Sequence, residues 1–123
     1  MISIIILNYN SSDLLTNCVS SILDSNLTDY EIIVVDNLSS DNSHKKCKKK
    51  FEEIILIENN ENLGYCEGNN VGLRIAKGEF IIILNPDTTV SSNWLIELKN
   101  AQNQYGDGLF QPKILSMSNP KKL

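Results

Sequence analysis

The chain has 123 residues, of which 41% are hydrophobic, 21% charged and 7% aromatic, and it carries a formal charge of −4. One ordinary globular domain fits that length and composition. The acidic balance disfavours a dedicated nucleic-acid binder, and no apolar run approaches the ~20 residues that span a bilayer.

Cys18, Cys47 and Cys66 are odd in number, far apart and match no zinc spacing. They read as free thiols in a reducing compartment. The N-terminus MISIIILNYN has no basic n-region and no small-residue cleavage site. It is therefore not expected to be a signal peptide, and cytoplasmic placement follows as an expectation.

Ile2 to Leu7 is a short apolar run broken only by Ser3, the pattern of a strand buried on both faces. Leu14, Leu15, Cys18, Val19, Ile22 and Leu23 then share one face of a helix, capped by Ser11 or Ser12. Ile32 to Val35 reads as a second strand and Ser39 to Glu53 as a second helix. Ile54 to Ile57 is a third strand, and Cys66 to Lys77 a third helix that stops at Gly78. Phe80 to Leu84 is a fourth strand. A fourth helix starts at Ser91 or Ser92 and turns Trp94, Leu95, Leu98 and Ala101 inward. Leu109 to Leu115 reads as a last strand, at an edge or bent because Pro112 interrupts it.

Alternating strands and helices predict an α/β three-layer sandwich with a mainly parallel sheet in a single domain over residues 1–123. Ligands in such sheets sit at the carboxyl ends of the strands, so the residues leaving each strand carry the functional information. They are Asn8-Tyr9-Asn10, Asp36-Asn37, Glu58-Asn59-Asn60 and Asn85-Pro86-Asp87. An aspartate behind a stiffening proline, as in Asn85-Pro86-Asp87, suits Mg²⁺ or Mn²⁺ shared with a diphosphate, although N-P-D-T is also good turn chemistry by itself. Asp36 can accept from a ribose hydroxyl or a base N–H, or it can serve the next helix as a cap. Ser40 and Asp41 are better placed for capping, which leaves Asp36 free.

Gly68 and Gly72 lie inside the third helix, where each costs about 1 kcal/mol relative to Ala. Close packing or close ligand approach is expected there. No G-x-x-x-x-G-K-[ST] occurs, and no G-x-G-x-x-G follows the first strand, which removes the main support for an ATPase or dinucleotide site. The run Lys45-Lys46-Cys47-Lys48-Lys49-Lys50, followed by Glu52 and Glu53, reads as a solvated helix face. His44, without an obvious partner, reads as a surface histidine. Cys66 reads as a small packing residue, and Trp94 as core.

Three stretches taken in order carry a resemblance: I-S-I-I-I-L-N-Y-N, then Y-E-I-I-V-V-D-N-L-S-S-D-N-S, then N-E-N-L-G-Y-C-E-G-N-N-V-G-L-R-I-A-K-G-E-F-I-I-I-L-N-P-D-T. Together they resemble the nucleotide-sugar-binding half of family 2 glycosyltransferases, inverting enzymes of the GT-A fold, and the L-N-P-D-T variant is similar to rhamnosyltransferase-like members. The resemblance reaches to about Pro112-Lys113. It implies that Leu7, Asn8 and Tyr9 line the base pocket and that Asp36 contacts the base or ribose of a UDP- or dTDP-sugar. Asn37 stands where the family often has a second aspartate. Asn85-Pro86-Asp87 stands in the place of the D-x-D motif, with Asp87 binding Mn²⁺ or Mg²⁺ and Asn85 able to bond a ribose hydroxyl without adding charge. A cation there would stabilise the departing nucleoside diphosphate.

The family's general base, usually an aspartate, lies well downstream in the acceptor-binding half, and none of the seven aspartates here falls at that place. The expectation is thus a donor-binding half without its acceptor half. A separate acceptor-domain chain or a homodimer would then cover the apolar edge of an incomplete sheet. Two other readings stay open: a non-catalytic nucleotide-sugar binder or vestigial fragment, and a receiver-like regulatory domain. The receiver reading is weakened because Asn8-Tyr9-Asn10 stands where an acidic pair is required.

Overall fold

The computed structural model describes residues 1–118. Four strands, β1 (Ile2–Asn8), β2 (Tyr30–Asp36), β3 (Ile55–Glu58) and β4 (Phe80–Leu84), alternate with four helices, α1 (Leu14–Leu23), α2 (Ser43–Lys50), α3 (Gly64–Ile75) and α4 (Trp94–Tyr105). The strands form one parallel sheet in the order β3-β2-β1-β4. A receiver-like, flavodoxin-type domain orders its strands 2-1-3-4-5, so the observed order excludes that reading.

The order also explains the layers. The chain moves outward from β1 to β2 to β3, then crosses back past β1 to lay down β4. Parallel crossovers are right-handed, so α1 and α2 fall on one face of the sheet and α3 on the other. The first face is the larger core: Ile2, Ile4, Ile6, Ile32 and Val34 pack with Leu15, Cys18, Val19 and Ile22 of α1, Cys47 of α2, and Trp94 and Leu95 of α4. On the second face Ile5, Ile33 and Val35 pack with Val71 of α3 and with Ala76. Both faces of β1 and β2 are therefore covered, which is why their apolar runs show no alternation.

Glycine permits the close approach of α3. A Cβ on Gly72 would stand 2.7 Å from Ile5 Cγ2, and one on Gly68 2.5 Å from Leu7 Cδ1 and 2.9 Å from Asn37 Nδ2. The expected close approach at both glycines is therefore one of helix to sheet. Gly78 lies beyond the helix, whose last residue is Ile75, and is not its stop. It is pressed against β1 instead: a Cβ there would meet the Ser3 backbone nitrogen at 2.5 Å.

α2 is shorter than the expected Ser39 to Glu53. Leu38 and Asn42 adopt positive φ, 62° and 59°, and Ser39, Ser40 and Asp41 are held in hydrogen bonds to the β1–α1 loop. Neither Ser11 nor Ser12 caps α1, which is preceded by Asp13 with no side-chain cap. Of the two capping candidates for α2, Asp41 accepts the Ser43 N–H at 3.0 Å.

The expected strand over Leu109 to Leu115 does not form. Pro112 lacks an N–H for a ladder, and Leu109 and Ile114 point to solvent. Among the described residues β4 consequently keeps an unpaired outer edge, with Ile81 and Ile83 41% and 48% exposed. No helix among the described residues is long and apolar enough to cross a membrane.

Candidate functional site

The direction of connection reverses between β1 and β4, and the crevice outside the carboxyl ends at such a reversal is where open α/β sheets bind ligands. The polar exits of β1 and β4 flank it, that of β2 stands one strand further along, and that of β3 is at the far edge of the sheet. Asn8 is in register with Asp36, and Asp36 with Glu58. Leu84 pairs with Ile6, so Asn85 leaves the sheet alongside Leu7. Strands are spaced by ~4.8 Å, which sets the β2 and β4 exits roughly 10 Å apart with β1 between them.

The β1 and β2 exits form one buried network. Asn8 is fully buried, and its Nδ2 donates to Asp36 Oδ1 at 2.9 Å and to Ser43 Oγ at 2.8 Å. Its Oδ1 accepts the Ser11 hydroxyl. Asp36 is 1% exposed and also accepts the Ser39 N–H at 2.9 Å and the Ser39 hydroxyl at 2.7 Å. Asp36 is thus not free, contrary to the expectation from capping, because the short α2 leaves Ser39 to turn back onto it.

The β1–α1 and β2–α2 loops are latched to each other. Asn10 Oδ1 accepts the Ser40 N–H at 2.8 Å, the Asn10 N–H donates to Ser39 Oγ at 2.9 Å, and the Ser12 N–H donates to Asp41 Oδ2 at 2.8 Å. The Ser43 and Ser12 donors hold the Asp41 carboxyl below the usual range. Tyr9, between these latches, is 54% exposed.

Asn37 turns away from this crevice. It is 2% exposed, and its Nδ2 donates to the Gly64 carbonyl at 3.1 Å while its Oδ1 accepts from Asn59 Nδ2 at 2.9 Å. It braces the β3 exit against the start of α3. Leu7 is half-buried under Gly68 of that helix.

The β4 exit differs in character. Asn85 and Asp87 are both exposed, and the Thr88 hydroxyl and N–H close a turn on the Asn85 carbonyl at 2.7 and 3.2 Å. Both residues line an open groove of about 1460 Å³ that runs beside Tyr65, Ile81 and Ile83. Asp36, Asn37, Asn8, Leu7 and Tyr9 do not line it. Beneath the turn, Cys18 Sγ lies 3.8 Å from the Asn85 carbonyl, and burial pushes this thiol up to about 12.

Among the described residues no three His, Cys, Asp or Glu side chains gather as a metal cage. Asp87 is a single hard oxygen donor at an open position, which fits Mg²⁺ or Mn²⁺ that takes its remaining ligands from phosphates and water.

His44 is not at the surface. It is 4% exposed, with Nε2 3.1 Å from Glu58 Oε1 and Nδ1 3.4 Å from Asp36 Oδ1. Its spacing of three from the buried Cys47 is the sequence signal that places it on the inner face of α2. Cys66, by contrast, is exposed rather than packed. Lys45, Lys46, Lys49 and Lys50 are solvated as expected, and Trp94 is core, its Nε1 donating to Ser25 Oγ at 2.8 Å.

Known proteins resemble this chain in sequence and in fold. The chain is 38% identical over 105 residues to a poly(ribitol-phosphate) beta-glucosyltransferase of Bacillus spizizenii, covering 80% of this chain and 17% of that protein. The structure of S. aureus TarS residues 1–349 in complex with UDP-GlcNAc superposes with a TM-score of 0.76 at 23% identity, over 89% of this chain and 37% of that one. The mannosyltransferase PcManGT of Pyrobaculum calidifontis, in complex with GDP-Man and Mn²⁺, gives 0.72 at 24% identity, over 86% and 32%. The chain therefore spans well under half the length of each, and the shared part is the GT-A fold. The family model "Glycosyl transferase family 2" matches residues 3–121, nearly the whole sequence, and the chain belongs to that family.

Proposed function

We propose that this chain is the nucleotide-sugar-binding part of an inverting glycosyltransferase that takes a UDP- or dTDP-sugar. The observation that carries the reading is the row of polar exits along the carboxyl end of the sheet on either side of β1, with a braced carboxylate at β2 and an open one at β4. The base and ribose would lie over Leu7, Asn8, Tyr9 and Asp36, with Asn37 fixing the pocket wall toward α3. The diphosphate would reach across the end of β1 to Asn85 and Asp87. A separation of roughly 10 Å between the two exits suits a nucleoside diphosphate.

Asp87 would hold Mn²⁺ or Mg²⁺. A bound cation supplies Lewis-acid stabilisation of the leaving diphosphate. Asn85 contributes a neutral donor beside it, so the site carries one negative charge where a D-x-D site carries two. Transfer itself would need a general base from an acceptor-binding part, and the open edge of β4 is where that part would join the sheet.

The test is calorimetric titration with UDP and with dTDP, each with and without Mn²⁺, for the wild type and for Asp36→Ala and Asp87→Ala. Metal-dependent binding that disappears in Asp87→Ala is the expected result. A folded wild-type chain that binds neither nucleotide would leave only the family relationship, without a working donor site.

A further inference from the structure

We infer that His44 is a positioning residue of the nucleotide site, acting through Asp36. The inference rests on the reading that Asp36 meets the nucleotide. His44 sits in the first turn of α2, where its ring is inserted between the ends of β2 and β3. Nε2 is anchored by Glu58 Oε1 at 3.1 Å, and Glu58 itself is exposed. That anchor fixes the ring plane and leaves Nδ1 facing Asp36 Oδ1 at 3.4 Å. The Nδ1 contact is close but out of line, so this nitrogen is a buried polar atom without a hydrogen bond.

A buried unsatisfied nitrogen costs free energy, and packing alone does not require one. Cys47, one turn along, fills the same face of α2 with an apolar group. Carboxylate oxygens only accept, and Asp36 Oδ1 already takes Asn8 and Ser39. Glu58 and Asp36 both only accept, so a ring that bonds the two carries a proton on each nitrogen, and the Nδ1–H of that imidazolium is the group that holds Asp36 when a ligand draws on the carboxylate. Contacts of this kind are commonly long in the free protein and shorten in the complex. His44 in this role touches no ligand. Through Glu58 it links the pocket carboxylate to the outer surface at the β3 exit.

The experiment is UDP titration in the presence of Mn²⁺ for the wild type, His44→Leu, His44→Asn, Asp36→Asn and the double variant His44→Leu/Asp36→Asn. His44→Leu should weaken UDP binding roughly tenfold, the loss of one charge-assisted hydrogen bond. His44→Asn, which keeps a donor near the Nδ1 position, should restore affinity to within about threefold. The double variant should bind no more weakly than Asp36→Asn alone, because the two residues act as one unit.

Wild-type affinity in His44→Leu, or a loss that adds to that of Asp36→Asn, overturns the inference. Unchanged affinity in Asp36→Asn instead overturns the reading of Asp36 on which it rests, as does a wild type that binds no UDP. The chain has one histidine, so its imidazole ¹⁵N signals give a second readout that needs no His44 variant. Addition of UDP should move them in the wild type and not in Asp36→Asn, and signals that stay fixed in both overturn the role.

Discussion

The side-chain amide of Asn8 lies 2.9 Å from the carboxylate of Asp36, strand to strand, and both groups are closed off from water. The same amide serves Ser43 at 2.8 Å, so one side chain joins β1, β2 and α2. Asn8→Ala leaves a buried carboxylate and a buried hydroxyl each short of a donor. The expected loss is about 2 kcal/mol of stability, read as a lower urea midpoint with an unchanged slope.

Glycine substitutions should separate by what the new methyl group meets. Gly78→Ala drives a Cβ against the Ser3 backbone, which has no rotamer to yield. It should cost about 2 kcal/mol or more, in the range of overpacking. Gly68→Ala meets the end of the Leu7 side chain and the Asn37 amide. It recovers about 1 kcal/mol of helix propensity, so its net cost should be the smaller. Thermal unfolding of the two variants ranks them, and a Gly78→Ala protein as stable as the wild type would refute the ordering.

The thiols should react in two classes. Burial pushes Cys18 up to about 12 and Cys47 up to about 11, whereas Cys66 is exposed. The thiolate is the nucleophile, so a disulfide reagent at neutral pH should modify Cys66 rapidly. Cys18 and Cys47 should react only after denaturant is added. Two fast thiols in the folded protein would contradict the packing of α1 or α2.

Glu31 should give stability a defined pH dependence. Burial works against its charge, but the Ser3 hydroxyl at 2.6 Å and the Lys77 N–H at 2.7 Å outweigh it and hold the carboxyl below its ordinary value. A lowered folded value means that the contribution is complete above the ordinary carboxylate range. It is lost as the pH falls through the folded value. The stability difference between wild type and Glu31→Gln should therefore be largest near neutrality and vanish in acid, which denaturant titration at several pH values will measure.

The strands were legible because continuous runs such as Ile32 to Val35 are covered on both faces, and the helix α1 because its apolar spacing is regular. Leu109 to Leu115 has four apolar residues in seven and fails as a strand, since Gln111-Pro112-Lys113 breaks the run and Pro112 has no N–H for a ladder. The exits were found as positions, but their internal wiring was not. Asn10 reaches Ser39 and Ser40 across about thirty residues, and no local pattern marks such a pair. Asn37 stands next to Asp36 in sequence but braces α3, because consecutive residues of an extended chain face opposite ways. His44 escaped because the lysines around it dominate the helix.

The latched loops bear on the entropy of binding. Asn10, Ser12, Ser39, Ser40 and Asp41 fix the β1 and β2 side of the crevice before any ligand arrives, so little order remains to be imposed there. The β4 side is tied more sparsely, by the local turn at Asn85 and by the contacts of Cys18 to the Asn85 carbonyl and of Ser21 to the Val90 N–H. Within the proposed site the base would enter a rigid seat, and the ordering cost would fall almost wholly on the diphosphate end. Nucleosides and nucleoside diphosphates should then differ in binding entropy far more than in the contacts made to the base.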